Sequence, residues 1–168
     1  EEIGAFRVSN DVLDDPPEPR HRIDEDGYLF FKGLQDKDRL LALREEMMTV
    51  MMAGGWLVEG TDPVDGIADV SKRCTEGVIE YTDVYQEIQS LESFHQSGHW
   101  PEVVSMIEKI VDGPVLPHPQ KIARLWFPKY TDHTTPIHQD FVHFQGSFDT
   151  YTCWAPVGDC PMELGSLA

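Results

Sequence analysis

Thr135-Pro136-Ile137-His138-Gln139-Asp140-Phe141 is the stretch on which the reading of this chain turns. It holds a His-x-Asp pair, the one feature that asks for chemistry rather than packing. In an extended segment successive side chains alternate faces, so His138 and Asp140 are expected to point one way and Gln139 the other. An imidazole and a carboxylate on one face can chelate one divalent metal. A second histidine from elsewhere would complete a 2-His-1-carboxylate facial triad, which leaves the opposite face of an octahedron open. Taken alone, the tripeptide reads more simply as a surface turn carrying a hydrogen-bonded histidine. The surrounding sequence has to decide.

The chain has 168 residues, enough for one domain with a real core. Its apolar content of 40% and charged content of 26% are ordinary for a globular protein. A net charge of −17 argues against nucleic-acid binding, which needs clustered Lys and Arg. Cys74, Cys153 and Cys160 are too few and too scattered for a disulfide framework or a Cys-x-x-Cys zinc pair, which fits a reducing compartment. No apolar run reaches the length of a membrane span, and residues 1–20 lack the order of a signal peptide. The expectation is a cytoplasmic protein with no membrane and no nucleic-acid partner. The oligomeric state is not legible.

Outward from the centre, residues 1–22 carry Asp14-Asp15-Pro16-Pro17-Glu18-Pro19 and are expected to form an extended lead-in. Asp26-Gly27-Tyr28-Leu29-Phe30-Phe31-Lys32-Gly33 reads as a strand. Asp36 caps a helix whose Leu40, Leu41, Leu43, Met47, Met48, Met51 and Met52 recur at helical spacing until Gly54-Gly55. That methionine stripe is core packing. After a loop, Thr82 is expected to cap a second helix running to Gly98. His95 and His99 near its end have metal-pair spacing but no acidic partner, so a capping role is the better reading. Pro101 opens a third helix, closed by Gly113-Pro114. Beyond Pro117, residues 121–127, the His138 segment and residues 149–157 each read as strands. Helices first and strands after predict an α+β or helix-decorated barrel domain.

Taken in series, these segments resemble the phytanoyl-CoA dioxygenase family of Fe(II)- and 2-oxoglutarate-dependent oxygenases. The residues that carry the resemblance are the Asp26-Gly27-Tyr28-Leu29 strand and the strand closed by Pro128. They continue with Pro136-Ile137-His138-Gln139-Asp140, then Trp154, then Asp159-Cys160-Pro161 with Glu163-x-Gly165-x-Leu167. The resemblance covers roughly residues 23–168. It implies a double-stranded β-helix, a jelly-roll or cupin-like barrel, with N-terminal helices packed outside. Residues 1–22 would lead in, 23–115 would form the N-terminal strand and helical region, and 116–168 the first part of the barrel.

The resemblance also implies an activity: a dioxygenase that hydroxylates a small-molecule or acyl substrate with O₂, releasing succinate and CO₂. Fe(II) would be held by His138, Asp140 and a distal His, with 2-oxoglutarate as co-substrate. Trp154 matches a position lining the co-substrate pocket, and Arg124 and Trp126 lie on the preceding strand, whose inward residues reach it. Each has a plainer reading: Trp154 as barrel core, Arg124 as half of a surface ion pair. The family's distal His and 2-oxoglutarate-binding Arg lie beyond the Glu-x-Gly-x-Leu strand. That predicts a fragment of a longer protein rather than a degenerate member. His143 is odd-spaced from His138, so on a continuing strand it would face away; His118 and His133 are further candidates. The competing expectation is a non-catalytic or cupin-like metal-binding barrel.

Overall fold

The computed structural model describes residues 4–15, 17–129, 135–144, 146–164 and 167. It is organised by helices: α1 (Glu18–Asp26), α2 (Lys37–Ala53), α3 (Ile79–Gln89), α4 (Glu92–Ser97), α5 (Pro101–Val111) and the short α6 (Phe141–Phe144).

α2 forms as its sequence predicts. The Asp36 carboxylate accepts from the Arg39 backbone N–H at 2.9 Å, and the helix stops at Gly54. Leu43, Met47 and Met51 are buried along one stripe. α5 opens on Pro101, buries Val103, Met106 and Ile110, and ends at Asp112 in the left-handed conformation, φ 53°. The helix expected to end at Gly98 is two helices, broken at Ser90-Leu91. Its cap is Val78, not Thr82, whose hydroxyl instead donates back to the Val78 carbonyl at 3.0 Å. The His95 ring meets the carbonyl of Gln89, the last residue of α3, at 2.7 Å, in keeping with a capping role.

The lead-in is not simply extended. Asn10–Val12 is a 3-10 turn, and α1 starts at Glu18 inside the proline-rich run. Pro19 sits in the first turn of α1, where a missing N–H costs nothing. Gly27 at φ 77° ends α1, where the sequence reading placed the start of a strand. α1 packs against α5. The guanidinium of Arg22, 7% exposed, donates to both oxygens of Asp11 at 2.7 and 2.9 Å.

The predicted barrel is contradicted. Among the described residues there is no β-strand; the only β pairings are isolated bridges, Val8 with Phe30 and Leu57 with Ala68. The sequence reading rested on side-chain alternation, and alternation is present. In residues 121–127, Ala123, Leu125 and Phe127 are buried while Ile122, Arg124 and Trp126 are exposed. A strand also needs a neighbour to take its N–H and C=O groups, and no described segment pairs with this one. It lies instead on helices: Phe127 meets Trp56 with ring centroids 5.1 Å apart, and the Gln89 side chain of α3 donates to the Lys121 carbonyl at 3.0 Å. The core is therefore α2, α3, Trp56, Leu57, Phe94 and the inward residues of 121–127. No described helix is long and apolar enough to cross a membrane.

Candidate functional site

Phe127 is the last buried residue of its segment, and the His138 segment is described from Thr135 onward. Residues 135–139 have no regular structure, and Asp140 begins a turn into α6. The Asp140 carbonyl accepts from the backbone N–H groups of His143 and Phe144 at 2.9 and 3.1 Å. His138 and Asp140 do share a side, but through this turn rather than along a strand.

His138 Nε2 lies 3.1 Å from Asp140 Oδ1. His138 Nδ1 lies 2.8 Å from the Pro136 carbonyl, so Nδ1 must carry hydrogen and donate to it. A neutral imidazole then presents a lone pair at Nε2, directly facing carboxylate lone pairs. Some cation, a proton or a metal, is needed between the two. Backbone donation through Nδ1 is the usual way a metal-binding imidazole is oriented. Two donors at right angles, each about 2.1 Å from a metal, stand about 3.0 Å apart, so the observed spacing suits adjacent positions on one ion. Thr152 adds a hydrogen bond, its hydroxyl donating to Asp140 Oδ2 at 2.6 Å. The side chains of His138 and Asp140 are 34% and 28% exposed, open enough to receive an ion. The pair fits two positions on a divalent cation. Among the described residues no group of three His, Cys, Asp or Glu converges to complete such a site.

His143 does not face away. Because 141–144 is helical, its ring centroid lies 5.7 Å from that of His138. His118 packs on Phe144, with ring centroids 5.6 Å apart, and His133 lies outside the described residues, as do Gly165 and Ser166.

Two cavities border this segment, one at Thr135 and Pro136 and the other at Gln139 and Asp140. One, about 340 Å³, is lined by Arg124, Trp126, Glu76, Tyr81, Thr75, Leu125, Thr135 and Pro136. Arg124 lies 3.9 Å from Glu76. Burial, and next the nearby Glu76, push the Tyr81 phenol up to about 12, so it stays a neutral donor. The other cavity, about 390 Å³, is lined by Gln139, Asp140, Phe141, Phe148, Thr150 and Thr152. Arg124 thus stands beside the His138 segment. Trp154 lines neither cavity and is 44% exposed, which also removes its plainer reading as barrel core. Thr152 was missed by sequence reasoning: its β-branched neighbourhood signals a strand, and nothing marks its hydroxyl as an Asp140 partner.

No family model matches the chain, and no solved structure matches it significantly. Two curated proteins do, both named 1-deoxypentalenic acid 11-beta-hydroxylase. The protein from Streptomyces arenae is 23% identical over 166 residues, covering 94% of this chain and 54% of the relative. The one from Streptomyces exfoliatus is 22% identical over the same shares. The chain spans about half the length of the curated relatives it matches. The likeness is a distant one, to proteins named as hydroxylases, and it does not show the phytanoyl-CoA dioxygenase family.

Proposed function

We infer that the protein to which this chain belongs is an Fe(II)- and 2-oxoglutarate-dependent dioxygenase of the phytanoyl-CoA dioxygenase type, hydroxylating a small-molecule or acyl substrate. The observation that carries the reading is the 3.1 Å approach of His138 Nε2 to Asp140 Oδ1. The relatives' names give it a direction.

His138 and Asp140 supply two metal ligands, a neutral imidazole and a carboxylate that offsets the ion's charge. When bound, iron with O₂ and 2-oxoglutarate converts a C–H bond to an alcohol, while 2-oxoglutarate becomes succinate and CO₂. The remaining work belongs to the chain. Pro136 fixes the imidazole by accepting from Nδ1, and Thr152 fixes the carboxylate through Oδ2. Arg124, with the Tyr81, Thr75 and Thr135 hydroxyls, lines a cavity suited to a carboxylate, and 2-oxoglutarate is assigned there. Glu76, 3.9 Å from Arg124, has to yield to that carboxylate.

The test is succinate release by the full-length protein, beginning with 1-deoxypentalenic acid as the trial substrate. His138→Ala and Asp140→Ala should abolish substrate-dependent succinate formation. Unchanged turnover in either variant removes the reading.

A further inference from the structure

The hydroxyl that orients Asp140 sits on a segment with little structure of its own. Residues 151–156 are neither helix nor strand, and 152–156 are exposed. Such a segment places Thr152 only as firmly as it is itself held. It is held again at Val157 and Gly158. Val157 packs against the helical core, and Gly158 lies against Arg44 of α2. Arg44 is partly buried beside the Leu43-Met47-Met51 stripe. Its Nε donates to the Val64 carbonyl at 2.8 Å, and its Nη2 donates more weakly to the Asp65 carbonyl at 3.4 Å. Both acceptors belong to the 3-10 turn Pro63–Asp65, which packs on α2. Two glycines admit the guanidinium. A β-carbon on Gly66 would stand 2.7 Å from Nη2. A β-carbon on Gly158 would stand 3.1 Å from Cζ and closer still to Nη1. Gly158 does not have the left-handed φ of Gly66, so what its missing side chain provides is room for Arg44.

We propose that Arg44 is a positioning residue for the candidate metal site. Its guanidinium pins the 149–158 segment at Gly158, so that the Thr152 hydroxyl reaches Asp140 Oδ2. A guanidinium suits this task because it is a rigid plate. With one edge fixed by the Val64 and Asp65 carbonyls, the rest is a fixed surface for the Gly158 backbone. From the proposed oxygenase reading the inference takes only the role of Asp140 as a metal ligand. The competing account is plain packing, in which Arg44 stabilises the fold and has no effect specific to Asp140.

Two variants of the full-length protein test this. Arg44→Met removes the guanidinium and keeps a good helix former. Gly158→Ala pushes the guanidinium and the turn apart without altering position 44. Each should weaken Co(II) binding roughly three- to tenfold, less than the 10–100-fold typical of a lost outer partner, because Thr152 itself remains. In a Thr152→Val background, Arg44→Met should change Co(II) affinity by less than about twofold, whereas a packing role would cost the same in both backgrounds. Equal losses in the two backgrounds, or no loss from Arg44→Met, overturn the assignment. A metal-free measurement separates it from the oxygenase reading. Chymotrypsin cleavage after Trp154, on the exposed stretch, is compared with cleavage after the buried Tyr81, which reports global opening. Arg44→Met should raise that ratio about threefold or more. An unchanged ratio overturns the proposal whatever the metal does. A raised ratio in a protein whose parent binds no Co(II) leaves the Arg44 tether standing and overturns the metal reading alone.

Discussion

The Thr152 hydroxyl donates at 2.6 Å to Asp140 Oδ2, the carboxylate oxygen turned away from His138. The two lie twelve positions apart in sequence, so the 149–157 segment orients the carboxylate that the 135–141 segment supplies. Loss of such outer partners typically lowers metal affinity about 10–100-fold. Thr152→Val should do so in a Co(II) titration, while Thr152→Ser, which keeps the hydroxyl, should stay near the parent. Equal affinities for all three would show that the hydrogen bond is incidental.

Period-two burial in residues 121–127 predicts opposite outcomes for neighbouring side chains. Leu125 is 5% exposed, and Leu125→Ala should cost about 2–5 kcal/mol in urea unfolding. Ile122 is 41% exposed, and Ile122→Ala should stay within about 1 kcal/mol. Comparable losses would mean that the segment does not lie on the helices as described.

Gly54, at the end of α2, marks a close helix approach. A β-carbon there would run into the Val84 side chain of α3, a β-branched group with little freedom to move away. Gly54→Ala should therefore destabilise by about 1–3 kcal/mol through overpacking. In a Val84→Ala background the same substitution should cost much less. An unchanged cost in that background would place the strain elsewhere.

Acid sensitivity follows from Asp11. Its hydrogen bonds from Arg22 hold the carboxyl below the ordinary carboxylate value. A depressed folded-state pKa contributes stability above the unfolded value, and that contribution disappears as pH falls through the folded value. The melting-temperature gap between the parent and Asp11→Asn should be full near neutrality and should close below about pH 4. A gap independent of pH would break the link to Arg22.

Helices α2 and α5 were legible because their causes are local. Asp36, Pro101, the Leu43-Met47-Met51 stripe and the stop at Gly54 lie within the segments they shape. The strands were not, because a strand is defined by its partner. Residues 121–127 show the alternation without the ladder. The same dependence misled the reading of His143, excluded by strand spacing yet brought beside His138 by the α6 turn. Proximity of His138 and Asp140 was correctly expected for a different geometric reason. Thr152 was invisible because no spacing rule links it to position 140. Arg22 was equally hidden: a buried guanidinium cannot be read from a polar lead-in.

Binding of one divalent ion by His138 and Asp140 is tested most directly by anaerobic calorimetric titration of Fe(II) into the full-length protein and its two single alanine variants. The account predicts one equivalent bound per parent chain, and no site in either His138→Ala or Asp140→Ala. Identical isotherms for all three, or no heat from the parent, would contradict it.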